Sequence, residues 1–396
     1  MKRIFIAIIS TVCTLQAFAT DTPGDGKGKE TKEEAGKFTF SGYLDSYFFA
    51  NFNKPKSRNN LGAALNARAF DQKAGQFQLG LVQTKMNYVN DKSEVVVDLT
   101  FGPNADLGNY GNIVGPLGGS TSLAIKQAYF NYKASDKLTL TAGQFGTHIG
   151  YEVIDAPVNY NYSLSNLFNN GPFYHIGVKG TYAFSDKASL MVGLVNNVDN
   201  LYDNNRAKGL IAQLFVSPAS GWNVYLNMIA SNEANVKSSG VDSTGSYAMF
   251  DLTTTYQISE KFFVGLNAAI GSQKGDYQGY TYTSESKSWG GVAIYTNYAV
   301  SSKFGIGARY ETFDNKGGAR FLVNAKGEGT SVNSFTLTSN ITLADGHLLF
   351  KPELRIDAYP KVTGAGSTNL QQFEDDKGNF SKSSQTTLGM AMIYKF

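Results

Sequence analysis

The sequence predicts an all-β fold, a transmembrane antiparallel β-barrel of about sixteen strands. Three observations predict it. Apolar and polar residues alternate with a period of two from Lys37 onward, short turns alternate with long loops, and aromatic residues gather at the short-turn ends. Because lipid offers no hydrogen-bond partners to the backbone, a sheet that crosses a bilayer must close on itself.

The amino-terminal segment predicts export. Two basic residues precede an apolar run that starts at Ile4 and closes with the small-residue site Ala17-Phe18-Ala19, so residues 1–19 are expected to be a cleaved signal peptide. The single cysteine, Cys13, lies in this segment, and disulfides are therefore not expected in the mature protein. Residues 20–36 have no apolar periodicity and are expected to be a flexible polar lead-in to a barrel over residues 37–396.

Charge and composition exclude other classes. The chain has 35 Lys and Arg against 32 Asp and Glu, a net charge of +3, which gives no reason to expect nucleic acid as a partner. After the predicted signal, no run approaches the roughly eighteen apolar residues that a spanning helix needs. The 42 Gly, 27 Phe and 23 Tyr, with only 9 Pro, favour strands and turns.

Sixteen segments carry the alternation. In order, they are residues 37–52, 75–89, 93–101, 122–132, 137–145, 175–184, 188–195, 209–216, 222–230, 247–256, 262–270, 288–300, 304–313, 331–342, 347–359 and 385–396. Two irregularities are expected. Pro352 cannot donate a ladder hydrogen bond and predicts a bulge, and a phase change between Leu81 and Met86 predicts another.

The connections alternate in length. Seven are short turns, and the eight long ones are residues 53–73, 103–121, 146–173, 196–207, 231–246, 271–287, 314–330 and 360–382. Short turns on one side and long loops on the other are typical of a barrel in the outer membrane of a Gram-negative cell. The even strand count predicts that both termini lie on the periplasmic, short-turn side.

Aromatic residues on the apolar faces collect at the short-turn ends. They are Tyr132, Phe184, Trp222, Tyr256, Phe262, Tyr298, Phe304, Tyr394 and Phe396. Such a ring is expected where a barrel meets the membrane interface, whereas a soluble β-sandwich has no reason to ring one end with aromatics. Tyr394 and the terminal Phe396 also resemble the carboxy-terminal signal that the outer-membrane insertion machinery reads.

The third long connection, residues 146–173, is the first candidate for a functional element. It is rich in aromatic residues, carries Glu152 and Asp155, and has no Lys or Arg. Because so apolar a loop is poorly suited to open water, we expect it to fold into the lumen of the barrel and narrow it. The alternative is an extracellular lid that packs on the other loops.

Lumen-facing wall positions provide possible partners for that loop. The candidates share the polar face of their predicted strands: Lys179, Arg309, Glu311, Lys351, Glu353, Arg355 and Asp357. In one interpretation, wall cations such as Arg309, Lys351 and Arg355 face Glu152 and Asp155 and set a transverse field across a water-filled pore. In the other, ion pairs such as Arg309 with Glu353 or Asp357 brace the wall. Both signs of charge are present, so we expect weak ion selectivity.

Catalysis and bound cofactors are not expected. A nucleophile and base could come from Ser163 or Ser165 with His148 or His175, but no motif such as G-x-S-x-G supports this pairing. The acidic stretch at residues 374–379 lacks the ligand spacing of a calcium loop, so no metal is expected.

The stretch AGQFGTHIGYEVIDAPVNYNYSLSNLFNNGPFYHIGV, with the later ARYETF and PELRID strands, resembles the β-barrel porin-2, or OmpL-like, outer-membrane proteins of the Bacteroidetes type. The residues that carry the resemblance are Gly143, Phe145, Thr147, Gly150, Tyr151, Glu152, Asn159, Tyr162, Ser163, Ser165, Phe168, Pro172, His175 and Gly177. The resemblance implies an outer-membrane porin and adds weight to Tyr151, Glu152 and Tyr162 as residues that shape the third loop. Phosphate-selective porins are a second family to consider, but they need a strongly basic lumen.

The function that the sequence predicts is passive diffusion of small hydrophilic solutes through an outer-membrane porin. The expected partners are the lipid bilayer, the insertion machinery and the solutes themselves. A surface structural or adhesion barrel with a plugged lumen is the alternative, and the sequence leaves open whether the barrels form homotrimers.

Overall fold

The computed structural model describes residues 36–63, 65–108, 124–196, 198–203, 205–233, 245–275, 285–364, 366 and 369–396. The predicted signal peptide and the lead-in up to residue 35 lie outside these ranges. Within them, no helix is long and apolar enough to cross a membrane.

The described chain is built almost wholly from strands. The sixteen strands are β1 Lys37–Asn51, β2 Phe77–Val89, β3 Ser93–Phe101, β4 Ile125–Lys133, β5 Leu138–Gly146, β6 Tyr174–Ser185, β7 Ala188–Val195, β8 Gly209–Ala219, β9 Trp222–Asn232, β10 Gly245–Gln257, β11 Phe262–Gly275, β12 Lys287–Ala299, β13 Phe304–Asp314, β14 Ser331–Leu343, β15 Leu348–Ala358 and β16 Ser384–Lys395. Two short helices lie in the connections, α1 at Pro103–Gly108 and α2 at Asn166–Asn170.

The strands form one closed antiparallel barrel. Each strand pairs with its neighbours in the sequence, and β1 also pairs with β16, from Tyr43 opposite Lys395 to Asn51 opposite Thr387. Phe396 extends this seam by exchanging two backbone hydrogen bonds of 3.0 Å with Gly42. Closure leaves no unpaired sheet edge, so the predicted fold class is confirmed.

Alternate residues of each strand face opposite sides of the wall. In β16, Leu388 and Tyr394 are 48% and 47% exposed, whereas Thr387 and Ile393, each of which directly precedes one of them, are fully buried. The exposed side is an apolar band that ends in aromatics such as Trp222 at the short turns. The exposed apolar residues therefore face lipid, and the polar set faces the interior.

The two expected irregularities had different outcomes. The β1–β2 ladder changes register where two residues of β2, Gly80 and Leu81, oppose the single residue Asp45 of β1. This change places a bulge beside Leu81. The bulge predicted at Pro352 is wrong. The β14–β15 ladder resumes in the same register across Pro352, from Thr338 opposite Glu353 to Ile341 opposite Phe350, so the proline interrupts the ladder without inserting a residue.

Candidate functional site

The third loop, residues 146–173, lies inside the barrel against the inner side of β13 to β15. Its backbone donates to two wall carboxylates. The amides of Tyr162 and Ser163 donate to Glu353 at 2.7 and 3.1 Å, and those of Asn166 and Leu167 donate to Glu311 at 2.8 Å. Hydrogen bonds to a buried carboxylate are among the strong ones, so these contacts fix the path of the loop.

A local capping interaction explains why Glu311 meets this part of the loop. The side chain of Ser165 accepts a hydrogen bond of 3.0 Å from the amide of Phe168 and so begins α2. The first amides of a helix have no partner within the helix. In α2, those of Asn166 and Leu167 point at the Glu311 carboxylate of β13.

Wall cations hold the loop from the same side. Arg309 forms an ion pair of 2.5 Å with Glu152 and donates to the Ser163 carbonyl at 2.7 Å. Lys351 donates to the carbonyls of Ala156 and Asn159 at 3.0 and 2.5 Å. The guanidinium of Arg355 donates to the loop carbonyl of Leu164 at 2.8 Å.

The first long loop, residues 53–73, reaches the same inner side of β13 to β15. Arg68 forms ion pairs with Asp71 in its own loop and, at 2.7 Å, with Asp357 of β15. Asp357 also pairs with Arg355 at 2.9 Å. Phe70 then contacts the third loop, with its ring about 6 Å from that of Phe168. Two loops therefore cover the inner side of β13 to β15.

The charged wall residues differ from the expected arrangement. Arg309, Lys351 and Arg355, like Glu311, Glu353 and Asp357, are at most 2% exposed. Arg309 touches Glu152 directly and so does not face it across water. The predicted transverse field is therefore corrected to a set of buried contacts between loop and wall. The considered bracing pair of Arg309 with Glu353 or Asp357 is not among the ion pairs of the described residues, since Arg309 pairs with Glu152 of the loop; Arg355 instead pairs with Asp357.

Asp155 is the predicted loop carboxylate that reaches a different wall. It forms an ion pair of 2.5 Å with Lys126 of β4 and accepts a hydrogen bond of 2.8 Å from Gln83 of β2. Lys126 also lies 3.2 Å from Asp98 of β3. Sequence reasoning missed Lys126, because strict alternation places it on the lipid-facing side with Phe130 and Tyr132. A register shift between Asp98 and Leu99 leaves Lys126 as the extra residue of β4, and its side chain reaches the interior. Lys179, by contrast, sits over the Phe145 ring at 4.3 Å and has no ion-pair partner in the described part of the chain.

The tyrosines of the third loop and the two nearby histidines make stacking and hydrogen-bond contacts with the barrel wall and with the loop itself. Tyr151 stacks on Tyr295 of β12 with ring centres 4.0 Å apart, and the Tyr162 hydroxyl donates to Asp45 of β1 at 2.6 Å. Burial lowers the pKa of His148 to about 4, so its imidazole is neutral near neutral pH, and its Nε2 lies 2.9 Å from the Met228 carbonyl. The Nε2 atom of His175 lies 3.1 Å from the hydroxyl of Thr147, not from a serine.

A serine nucleophile beside a histidine is not assembled among the described residues, because the Ser165 hydroxyl is the cap of α2 and the Ser163 hydroxyl has no hydrogen-bond partner. The same residues contain no group of three or more side chains placed to hold a metal ion.

A cavity of about 560 Å³ remains between the first half of the third loop and the opposite wall. Residues 146–155 form one side of it, and inward residues of β3, β4 and β8 to β10 form the other. The wall contributes mainly neutral polar side chains: Thr100, Gln127, Gln213, Asn227, Thr253 and Thr255. The six buried charged residues of β13 and β15 do not line it.

Comparison with known proteins agrees with this architecture. The family model described as "Putative beta-barrel porin-2, OmpL-like" matches residues 37–396. No protein with a curated description matches the chain.

Solved structures of other outer-membrane proteins share the fold, and three of them illustrate it. One is the in-vitro folded trimer form of the outer-membrane protein OmpT of Vibrio cholerae, with 14% identity, 92% of this chain and 100% of that chain covered, and a TM-score of 0.54. The anion-selective porin from Comamonas acidovorans has 9% identity, 91% and 100% coverage and a TM-score of 0.56. The outer-membrane channel DcaP of Acinetobacter baumannii has 12% identity, 93% and 99% coverage and a TM-score of 0.54.

Proposed function

The chain belongs to the β-barrel porin-2, OmpL-like family and is an outer-membrane porin, and we propose that small hydrophilic solutes diffuse passively past its third loop. The proposed path is the cavity between residues 146–155 and the inner wall of β3, β4 and β8 to β10. The third loop narrows the lumen by occupying the side of β13 to β15.

The observation that carries this proposal is the unequal filling of the lumen. On one side, Glu311, Glu353 and their neighbouring cations are buried under loop backbone. On the other side, a cavity of about 560 Å³ remains, and the barrel wall lines it mainly with amides and hydroxyls. A water-filled route lined by polar groups is what a diffusion pore needs, and a constriction on that route decides which solutes pass.

The charges beside the path support weak ion selectivity. Lys126 and Asp155, which line the cavity, form an ion pair with each other. A phosphate-selective pore would need a basic lining, and the arginines of the barrel wall are instead used to hold the loops. Passage of solutes on this path requires no chemical step, so we propose a channel without catalytic activity.

Two further features belong to the proposal. Tyr394 and Phe396 both pair with β1, opposite Leu44 and Gly42, and we propose that the insertion machinery recognises these two aromatic residues. The Vibrio cholerae protein is described in a trimer form. On that analogy, we propose that this barrel also forms homotrimers in the bilayer, which cross-linking of the membrane-embedded protein would test.

A pair of single-cysteine variants tests the path. The chain's one cysteine lies in the predicted signal peptide, so residues 36–396 offer no competing thiol. Thr255→Cys places a thiol in the lining of the cavity, and Thr338→Cys places one under Asn161, whose side chain bonds Thr338 at 2.8 Å. Both positions face inward on a strand.

The measurement is single-channel current in a planar bilayer before and after adding a charged, water-soluble thiosulfonate. We expect modification to reduce the current of Thr255→Cys and to leave that of Thr338→Cys unchanged. A reduced current in Thr338→Cys with no change in Thr255→Cys would place the route on the opposite side of the lumen. A folded barrel that carries no current would favour the plugged, surface-binding alternative.

A further inference from the structure

The lining of the 560 Å³ cavity combines aromatic rings with neutral hydrogen-bonding groups. Tyr151, Phe168 and Phe173 contribute from the third loop, and Tyr225 contributes from β9. We infer that this cavity is a binding track for neutral saccharides, which lie against the rings as they pass. The inference rests on the proposed function and names its solute class.

The rings are held rigidly by other rings. Tyr151 is stacked on Tyr295 at 4.0 Å, and Phe168 on Phe173 at 4.8 Å. Tyr225 pairs across the strands with Phe215 at 5.0 Å. Aromatic rings fixed in this way offer contact area without losing side-chain freedom when a solute arrives.

The rings are also distributed along the path. Phe173 immediately precedes β6, at the long-loop end of the barrel, whereas Tyr225 is the fourth residue of β9, close to a short turn. Tyr151 belongs to the part of the third loop that crosses the interior, where it meets Tyr295 in the middle of β12. A solute would therefore meet a ring near the entrance, one midway and one near the exit.

Between the rings lie oriented amides. The Gln213 side chain donates to Asn227 at 2.8 Å, and Asn227 donates to Asp251 at 2.7 Å. On the facing wall, Gln127 accepts from the amide of Gly146 at 2.9 Å. The side-chain amide oxygens of Asn227 and Gln127 can each accept two hydrogen bonds, so each can accept a further one from a solute hydroxyl.

This combination matches the chemistry of a sugar. A pyranose ring presents flat C–H faces, which pack on aromatic rings, and hydroxyls at its edge, which bond to amides and threonine hydroxyls. An anionic solute would need a cation that is not already paired, and the lysine in the lining, Lys126, is held by Asp155 and Asp98. Neutral hydroxylated solutes are therefore favoured over phosphates and carboxylates.

Blocking of single-channel ionic current tests the inference. The probe is a neutral glucose trisaccharide, compared with a polyethylene glycol of the same hydrodynamic radius. We expect the trisaccharide to block the wild-type current at concentrations where the polymer does not, because the two differ in recognition and not in size.

Tyr225→Leu removes a ring while keeping an apolar side chain, and Tyr225→Phe keeps the ring. We expect Tyr225→Leu to weaken trisaccharide block by about tenfold and Tyr225→Phe to leave it within about twofold. Tyr310→Leu is the matched control, since Tyr310 is 52% exposed on the lipid side of β13. Phe168→Leu provides an independent second ring variant.

Two results would overturn the inference while leaving the pore intact: ionic current that the trisaccharide and the polymer block equally, or equal block in wild type and both ring variants. A folded protein without ionic current would instead overturn the proposed function on which the inference rests.

Discussion

Replacing Glu152 with Gln should release the third loop from the wall while leaving the barrel closed. The Glu152 carboxylate lies 2.5 Å from Arg309, and both side chains are at most 1% exposed. Removing one partner of a buried ion pair leaves the other charge uncompensated, at a cost of about 3–5 kcal/mol. Gln still accepts from the Ser165 amide, and Arg309 keeps the Ser163 carbonyl, so we expect about 3 kcal/mol, the lower end of that range.

That cost would act on the docking of the loop. The backbone of Arg309 stays paired with Tyr295 and Thr336 in the neighbouring strands, so the sheet loses nothing directly. About 3 kcal/mol shifts the equilibrium between docked and released loop by on the order of a hundredfold. Single-channel recordings of Glu152→Gln should then show a larger or more variable conductance than wild type.

The control and the rescue come from the same strand. Asp314→Asn removes a pair with Lys316 at 3.1 Å, but both side chains are more than half exposed, and such a change should cost under about 1 kcal/mol. Adding Arg309→Met to Glu152→Gln removes the buried charge and should recover part of the lost stability. Wild-type conductance and a wild-type unfolding midpoint in Glu152→Gln would contradict a role of this ion pair in holding the loop. So would a double variant whose loss of stability equals the sum of the losses in the two single variants.

Three further predictions concern other contacts of the loops. Asp155→Asn removes the carboxylate beside Lys126, so the reversal potential in a salt gradient should move toward anions; an unchanged potential would place Asp155 away from the ion path. Burial raises the pKa of Asp199 and Glu233 to about 7, so their protonated forms stabilise the folded loops at low pH, and this contribution is lost as the pH rises through about 7. The unfolding midpoint of the wild type should therefore fall as the pH is raised to about 7, and it should fall less in the double variant Asp199→Asn, Glu233→Gln. An equal fall in both proteins would contradict this prediction. Ser165→Ala removes the cap of α2 and should cost about 1 kcal/mol, seen as faster hydrogen exchange in the third loop, with exchange at wild-type rates counting against a capping role.

The barrel could be predicted from the sequence because its determinants are local. Period-two alternation fixes which residues of a strand face lipid, and turn chemistry fixes where a strand ends. The predicted segments 93–101 and 188–195, for example, coincide with β3 and β7. The interruption at Pro352 was misjudged because a missing ladder bond does not by itself require an extra residue.

The site could be predicted only in part, because alternation cannot distinguish an open inner wall from a covered one. Arg309 and Lys351 have the same pattern whether they face water or a loop backbone, and docking of residues 146–173 decides between the two. The neutral groups that line the cavity, such as Asn227 and Thr255, carry no charge that would mark them in the sequence.

Single-channel conductance of the purified wild-type protein, measured in a planar bilayer with a salt gradient, shows whether the barrel is an open pore. We expect stable openings with weak ion selectivity, because the proposed route runs beside the third loop and the charged residues that line it, Lys126, Asp155 and Glu152, are all paired. A correctly folded barrel that never conducts, or one with strong selectivity for either sign of ion, would contradict it.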